Sequence, residues 1–122
     1  MKYSIPHKRE LNDEEKVLLH FLFMREKPEW LELINKLKVI ARCGCEKCPT
    51  VLFGTSFDDE IKPNQPLLID YVGTGIHGES IGVAVFGNDI LPTELEFWSI
   101  DGQENIEVIP SIESLKPMIT GC

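Results

Sequence analysis

The chain predicts an α+β fold in which two N-terminal helices pack on one face of a mostly antiparallel sheet of five or six strands. Apolar residues recur at helical spacing up to about residue 37 and at a spacing of two after it. The candidate strands follow one another at hairpin-like distances, with no segment for the crossover helices that a parallel sheet needs, which excludes a doubly wound fold. With 122 residues, 43% of them hydrophobic and 26% charged, there is material for one core in a single domain spanning residues 1–122.

The first helix is announced by Asn12-Asp13-Glu14-Glu15. Asn12 can cap, Glu15 can reach back to the cap amide, and three acids suit the positive end of the helix dipole. This helix is expected to run to about Arg25 with Val17, Leu18, Phe21, Leu22 and Met24 turned inward. Pro28 opens the second helix at a position where its missing N–H costs nothing, and Trp30, Leu33, Ile34 and Leu37 share one face. From Val39 the period is two, which places Val39, Ala41, Cys43 and Cys45 on one side of a strand and Ile40 and Arg42 on the other. Strands are also predicted over 50–53, 67–72, 80–86, 94–100 and 106–109, with an exposed loop over 55–66 and a short helix near Ser111–Leu115.

Gly73-Thr74-Gly75-Ile76-His77-Gly78 matches the string of a dinucleotide-binding loop. Such a loop must open a helix whose amides hold a pyrophosphate, whereas the residues that follow here, Ser80 to Phe86, read as a strand. The glycines are therefore assigned to a hairpin turn.

Charge is unevenly distributed along the chain. Residues 1–42 hold nine Lys/Arg and seven Asp/Glu, a balance of +2, whereas residues 43–122 hold three and thirteen, a balance of −10. An acidic C-terminal two-thirds repels nucleic acid and anionic membrane and attracts a basic partner. No apolar stretch approaches the roughly 20 residues of a membrane-spanning helix. The opening residues lack the apolar core of a secretory signal, so a cytoplasmic location is expected.

Three of the four cysteines, Cys43, Cys45 and Cys48, fall within six residues, and the fourth is Cys122. Clustering argues against a secreted disulfide framework and for a reducing compartment. The three thiols offer three corners of a tetrahedral zinc site, with Cys122 or His77 as the fourth ligand. The competing reading makes Cys43 and Cys45 small buried hydrophobes and Cys48 a turn residue before Pro49. The leading expectation is that the chain carries no cofactor, with a zinc domain as the alternative. A thiol-dependent enzyme using Cys45 or Cys48 ranks below both. It would need a base and an orienting group, and His7, His20 and His77 are not placed by the sequence to supply them. The chain is expected not to be an enzyme.

Two acidic features point instead to a protein partner. Asp58, Asp59 and Glu60 stand together in the predicted loop, without the ligand spacing of a twelve-residue calcium loop. On the strand 94–100, Leu95 and Phe97 face the core, so Glu94, Glu96 and Trp98 share the other face. A tryptophan flanked by carboxylates has the character of a hot spot for a cationic surface, unless the second helix covers it.

The capped segment Arg9-Glu10-Leu11-Asn12-Asp13-Glu14-Glu15, the late strand Leu95-Glu96-Phe97-Trp98-Ser99-Ile100-Asp101-Gly102 and the Cys43-Gly44-Cys45-Glu46-Lys47-Cys48-Pro49-Thr50 stretch together resemble small bacterial immunity proteins of contact-dependent and other polymorphic toxin systems. The resemblance implies a non-catalytic cytoplasmic inhibitor that binds a cognate toxin, often a nuclease. It carries over no binding residue, because immunity surfaces differ from pair to pair.

Overall fold

The structure, a computed structural model, describes residues 4–44, 49–62, 64–100 and 108–118. Strand β1 (Ser4–Glu10) leads into helix α1 (Asp13–Glu26) and a 3-10 helix (Pro28–Leu33). Strands β2 (Lys38–Cys43), β3 (Val51–Gly54), β4 (Leu67–Thr74), β5 (Ser80–Gly87) and β6 (Pro92–Ser99) follow. A second 3-10 helix (Ile112–Ser114) precedes the two-residue strand β7 (Lys116–Pro117). The strands form one seven-stranded sheet in the order β1-β2-β3-β6-β5-β4-β7, and every pairing is antiparallel. The α+β class and the antiparallel sheet are as the sequence predicts. The strand count and the helices are not.

β1 is the unanticipated strand. Its sequence, Ser-Ile-Pro-His-Lys-Arg-Glu, has one strong strand former, a proline and three charged residues, so it lacks the alternation that marks a half-buried strand. It is tolerable because β1 is an edge, where proline and charge also discourage pairing with another chain. Two of the residues in the predicted strand 106–109 lie outside the described residues, and Val108 and Ile109 are not in a strand.

The predicted second helix is a 3-10 helix of six residues followed by a turn. Pro28 opens it, but the preceding Lys27 is far from helical at φ −146° and supplies no side-chain cap. Its apolar residues are still buried as expected: Trp30, Ile34 and Leu37 belong to the main core. Trp30 packs edge-on against Phe23 at 5.3 Å, and the Lys27 ammonium lies 4.5 Å from the indole centroid.

α1 starts as predicted, with a complete capping box. The Glu15 amide donates to Asn12 Oδ1 (2.8 Å), and the Asn12 amide donates to Glu15 Oε1 (3.0 Å). The face it buries differs from expectation, because Leu18, Leu19, Leu22 and Phe23 are inside while Val17 and Met24 are 56% and 59% exposed. Residues 17–24 are apolar at every position but His20, so spacing alone does not select a face. Glu15 helps to select it. Its carboxylate is buried and takes two bonds from Arg9, at 2.8 and 2.9 Å, which fixes the rotation of α1 against β1.

The buried side of α1 shares one core with the inward residues Val39, Val51, Phe53, Ile69, Tyr71, Ile81, Val83, Val85, Leu95 and Phe97. Tyr71 also spans the layers, donating its hydroxyl to Glu26 Oε2 at 2.7 Å while Phe21 packs edge-on against its ring. The other face of the sheet carries no helix among the described residues. No helix among the described residues is long and apolar enough to cross a membrane.

Candidate partner-binding surface

The helix-free face is built by simple alternation. On β4, Ile69 and Tyr71 enter the core, so Asp70 and Val72 point away from it. On β5, Ile81, Val83 and Val85 enter, which sends Gly82, Ala84 and Phe86 outward. On β6, Leu95 and Phe97 enter, which sends Glu94, Glu96 and Trp98 outward. The register aligns these residues into rows across the strands: Val72–Gly82–Trp98, then Asp70–Ala84–Glu96, then Phe86–Glu94–Leu52.

In the first row Trp98 is 40% exposed. Its indole lies directly over Gly82, where a Cβ would collide with the indole nitrogen and Cε2. The large ring thus lies against the sheet because its cross-strand neighbour has no side chain. The 3-10 helix after α1 does not cover Trp98, because its apolar residues pack into the core on the opposite face. Glu96 and Glu94, one and two rows along β6 from Trp98, are half-buried, and Leu67 and Leu68 add exposed apolar area at the start of β4.

Asp70 belongs to this face, although the sequence reading did not single it out. The signal was present in Leu-Leu-Ile-Asp-Tyr-Val, where an acid between two core residues must point outward. Among the described residues nothing bonds to its carboxylate, and partial burial holds its pKa above the ordinary carboxylate value. It stands across Ala84 from Glu96, so two carboxylates flank one small residue.

The loop carrying Asp58, Asp59 and Glu60 leaves the sheet at Gly54, two residues beyond Leu52, the partner of Glu94. The three acids have different tasks. Asp59 accepts from the amides of Thr55 (2.8 Å) and Ser56 (3.2 Å), which hold its pKa down and tie the loop to itself. Asp58 and Glu60 are exposed. The acidic loop therefore has one internal staple and two outward charges.

The cysteine cluster is only partly visible. Cys45, Cys48 and Cys122 lie outside the described residues. Cys43 is buried at the end of β2. A bulge at Ile40–Ala41 breaks the predicted alternation of that strand: Val39 pairs with Phe53 and Arg42 with Val51, both partners facing the core, while Ala41 pairs with Leu52. Val39 and Arg42 therefore lie on one side and Ala41 on the other. His77 is exposed at the β4–β5 turn, where its amide donates to Glu79. Sheet order puts three strand spacings, about 14 Å, between β2 and β5, so Cys43 and His77 do not approach within the roughly 2 Å bonds of one zinc ion. Among the described residues no group of three His, Cys, Asp or Glu side chains is placed to hold a metal.

The glycine-rich string is a hairpin turn, as predicted. Gly78 takes the positive φ of 84° that a β-carbon would resist, and its amide closes the turn on the Gly75 carbonyl. At the start of α1 the capping box takes up the amides of Asn12 and Glu15, and the acids Asp13, Glu14 and Glu15 in the first turn repel an anion.

Comparison of the chain with protein-family models, with curated proteins and with solved structures returns no match.

Proposed function

We propose that this protein is a non-catalytic binding protein, an immunity protein that neutralises a basic toxin domain, such as a nuclease, by presenting carboxylates around an aromatic anchor. The observation that carries the reading is the row geometry of the helix-free face: Trp98 lying on Gly82, with Asp70 and Glu96 in the next row and Glu94 in the row beyond. An aromatic ring on a flat sheet supplies apolar contact and a π face for an arginine or lysine, and the neighbouring carboxylates supply its counter-charge. Asp58 and Glu60 extend the negative field past the end of β3. The −10 balance of residues 43–122 supports the same direction, because carboxylates can occupy an electropositive cleft in place of phosphates.

The test is co-expression with the toxin domain of the neighbouring reading frame, followed by binding kinetics. Reversal of Asp58, Glu60, Glu94 and Glu96 to lysine is expected to slow association more than it speeds dissociation, with the effect largest at low salt. Trp98→Ala is expected to act mainly on dissociation. Association rates unchanged at low salt would remove the electrostatic mechanism, and failure of the chain to rescue growth against that toxin would remove the function.

A further inference from the structure

The outward side of α1 is a second surface, remote from the one above because the helix and the core lie between them. Val17 and Met24 are more than half exposed, and Phe21 and Ile112 are half-buried between them. Two hollows of about 300 and 550 Å³ meet at Val17 and Ile112, so they form one apolar groove along the helix. Its ends differ in charge. Asp13 and Glu14 line one end, and His20 and Arg25 line the other.

We infer that this groove is the interface of a homodimer in which α1 packs antiparallel against α1 of a second copy. The occupant follows from the charge arrangement. Val17, Phe21 and Met24 repeat at i, i+4 and i+7, the seam of a helix pair. Glu14 and Arg25 are 11 residues apart (25 − 14), which at 3.6 residues per turn is close to three full turns and returns to the same flank of the helix. A two-fold axis that sets two helices antiparallel brings each flank against the same flank of its partner. The acidic end of one groove therefore meets the basic end of the other, twice per dimer. A two-fold axis running along parallel helices would instead set opposite flanks together at equal heights, and Glu14 and Arg25 would not meet. The guanidinium lies at the groove wall, 4.8 Å over the Phe21 ring, where it also bonds the Tyr71 hydroxyl.

Sedimentation velocity over a concentration series, on the full chain, tests the inference. The wild type is expected to pass from monomer to dimer with rising concentration. Glu14→Lys and Arg25→Glu each set like charges together at both ends, and each alone is expected to raise the dissociation constant by about tenfold or more. An equimolar mixture of the two is expected to recover the wild-type behaviour. In the mixed dimer the introduced lysine of one variant meets the introduced glutamate of the other, while the unchanged Arg25 and Glu14 meet at the opposite end. That recovery also separates interface repulsion from any loss of helix stability at the acidic first turn. Val17→Ser with Met24→Ser should abolish the dimer while leaving the thermal melt nearly unchanged at concentrations where the wild type is monomeric. A wild type that stays monomeric to about millimolar concentration, the weakest affinity worth the name, would overturn the inference. So would a dimer indifferent to the charge exchange. Neither outcome depends on the partner proposed for the sheet face.

Discussion

Among single residues, Arg9 and Glu15 carry the most structural consequence. Glu15 is 3% exposed and answers four demands at once: its amide receives the Asn12 cap, its carboxylate caps Asn12 in return, and both oxygens accept from Arg9. Two parallel N–H···O bonds need the planar fork of arginine, so lysine is no substitute. The pair joins β1 to α1, six residues apart in sequence but in different layers of the fold. Arg9→Ala leaves a buried carboxylate with only the Asn12 amide as a side-chain partner. Breaking a buried pair in this way costs about 3–5 kcal/mol, and the one-third exposure of Arg9 places the loss nearer about 2 kcal/mol. Urea titration should show it, with Arg9→Lys recovering less than half. A double substitution, Arg9→Met with Glu15→Gln, should be milder than Arg9→Ala alone, since no charge is left buried. A stability equal to wild type for Arg9→Ala would mean that water reaches Glu15 without help.

At the scale of elements, α1 shows what the chain does and does not announce. Its start was legible because capping chemistry is local: Asn12, Glu15 and their spacing suffice. Its buried face was not, because Val17 to Met24 is apolar on nearly every side and the choice is made by Arg9, a residue outside the helix. The strand β6 lies at the other extreme, with an alternation so regular that Glu94, Glu96 and Trp98 could be placed on the outer face from sequence alone. The outward direction of Asp70 was legible in its alternation, but its place across Ala84 from Glu96, and that of Gly82 beneath Trp98, needed the register, which no local pattern specifies. β2 lost its predicted alternation to a bulge, and β1 hid behind proline and charge. Paired truncations on α1 separate its two faces. Leu22→Ala removes a fully buried side chain and should cost about 2–5 kcal/mol, whereas Met24→Ala, at concentrations where the chain is monomeric, should stay within about 0.5 kcal/mol. Comparable losses at the two positions, read from the same denaturant midpoints, would contradict this rotation of α1.

For the molecule as a whole, the two faces of the sheet stand in different energetic positions. The helix-bearing face buries nearly all of its large apolar residues, while the open face holds Asp70 partly desolvated with no bonding partner among the described residues. Desolvation disfavours the charged form, so the folded chain holds Asp70 above its ordinary value of 3.8. A raised folded pKa means that the stability associated with the protonated form is fully present below the unfolded value and is lost as pH rises through the folded one. At neutral pH the ionised Asp70 is therefore a cost to the free protein. Asp70→Asn should raise the melting temperature at pH 7, and the gap between variant and wild type should close as pH falls below the ordinary value. A cationic partner would change the sign of that carboxylate's contribution, turning a cost in the free state into attraction in the complex. The same variant should therefore be more stable alone and weaker in binding a basic partner, the pattern expected where a surface is kept for function at the expense of stability. Thermal melts of wild type and Asp70→Asn at pH 7 and near pH 3, together with titration against the proposed basic partner, test both halves. A variant less stable than wild type at pH 7 would show that Asp70 serves the fold rather than the open face.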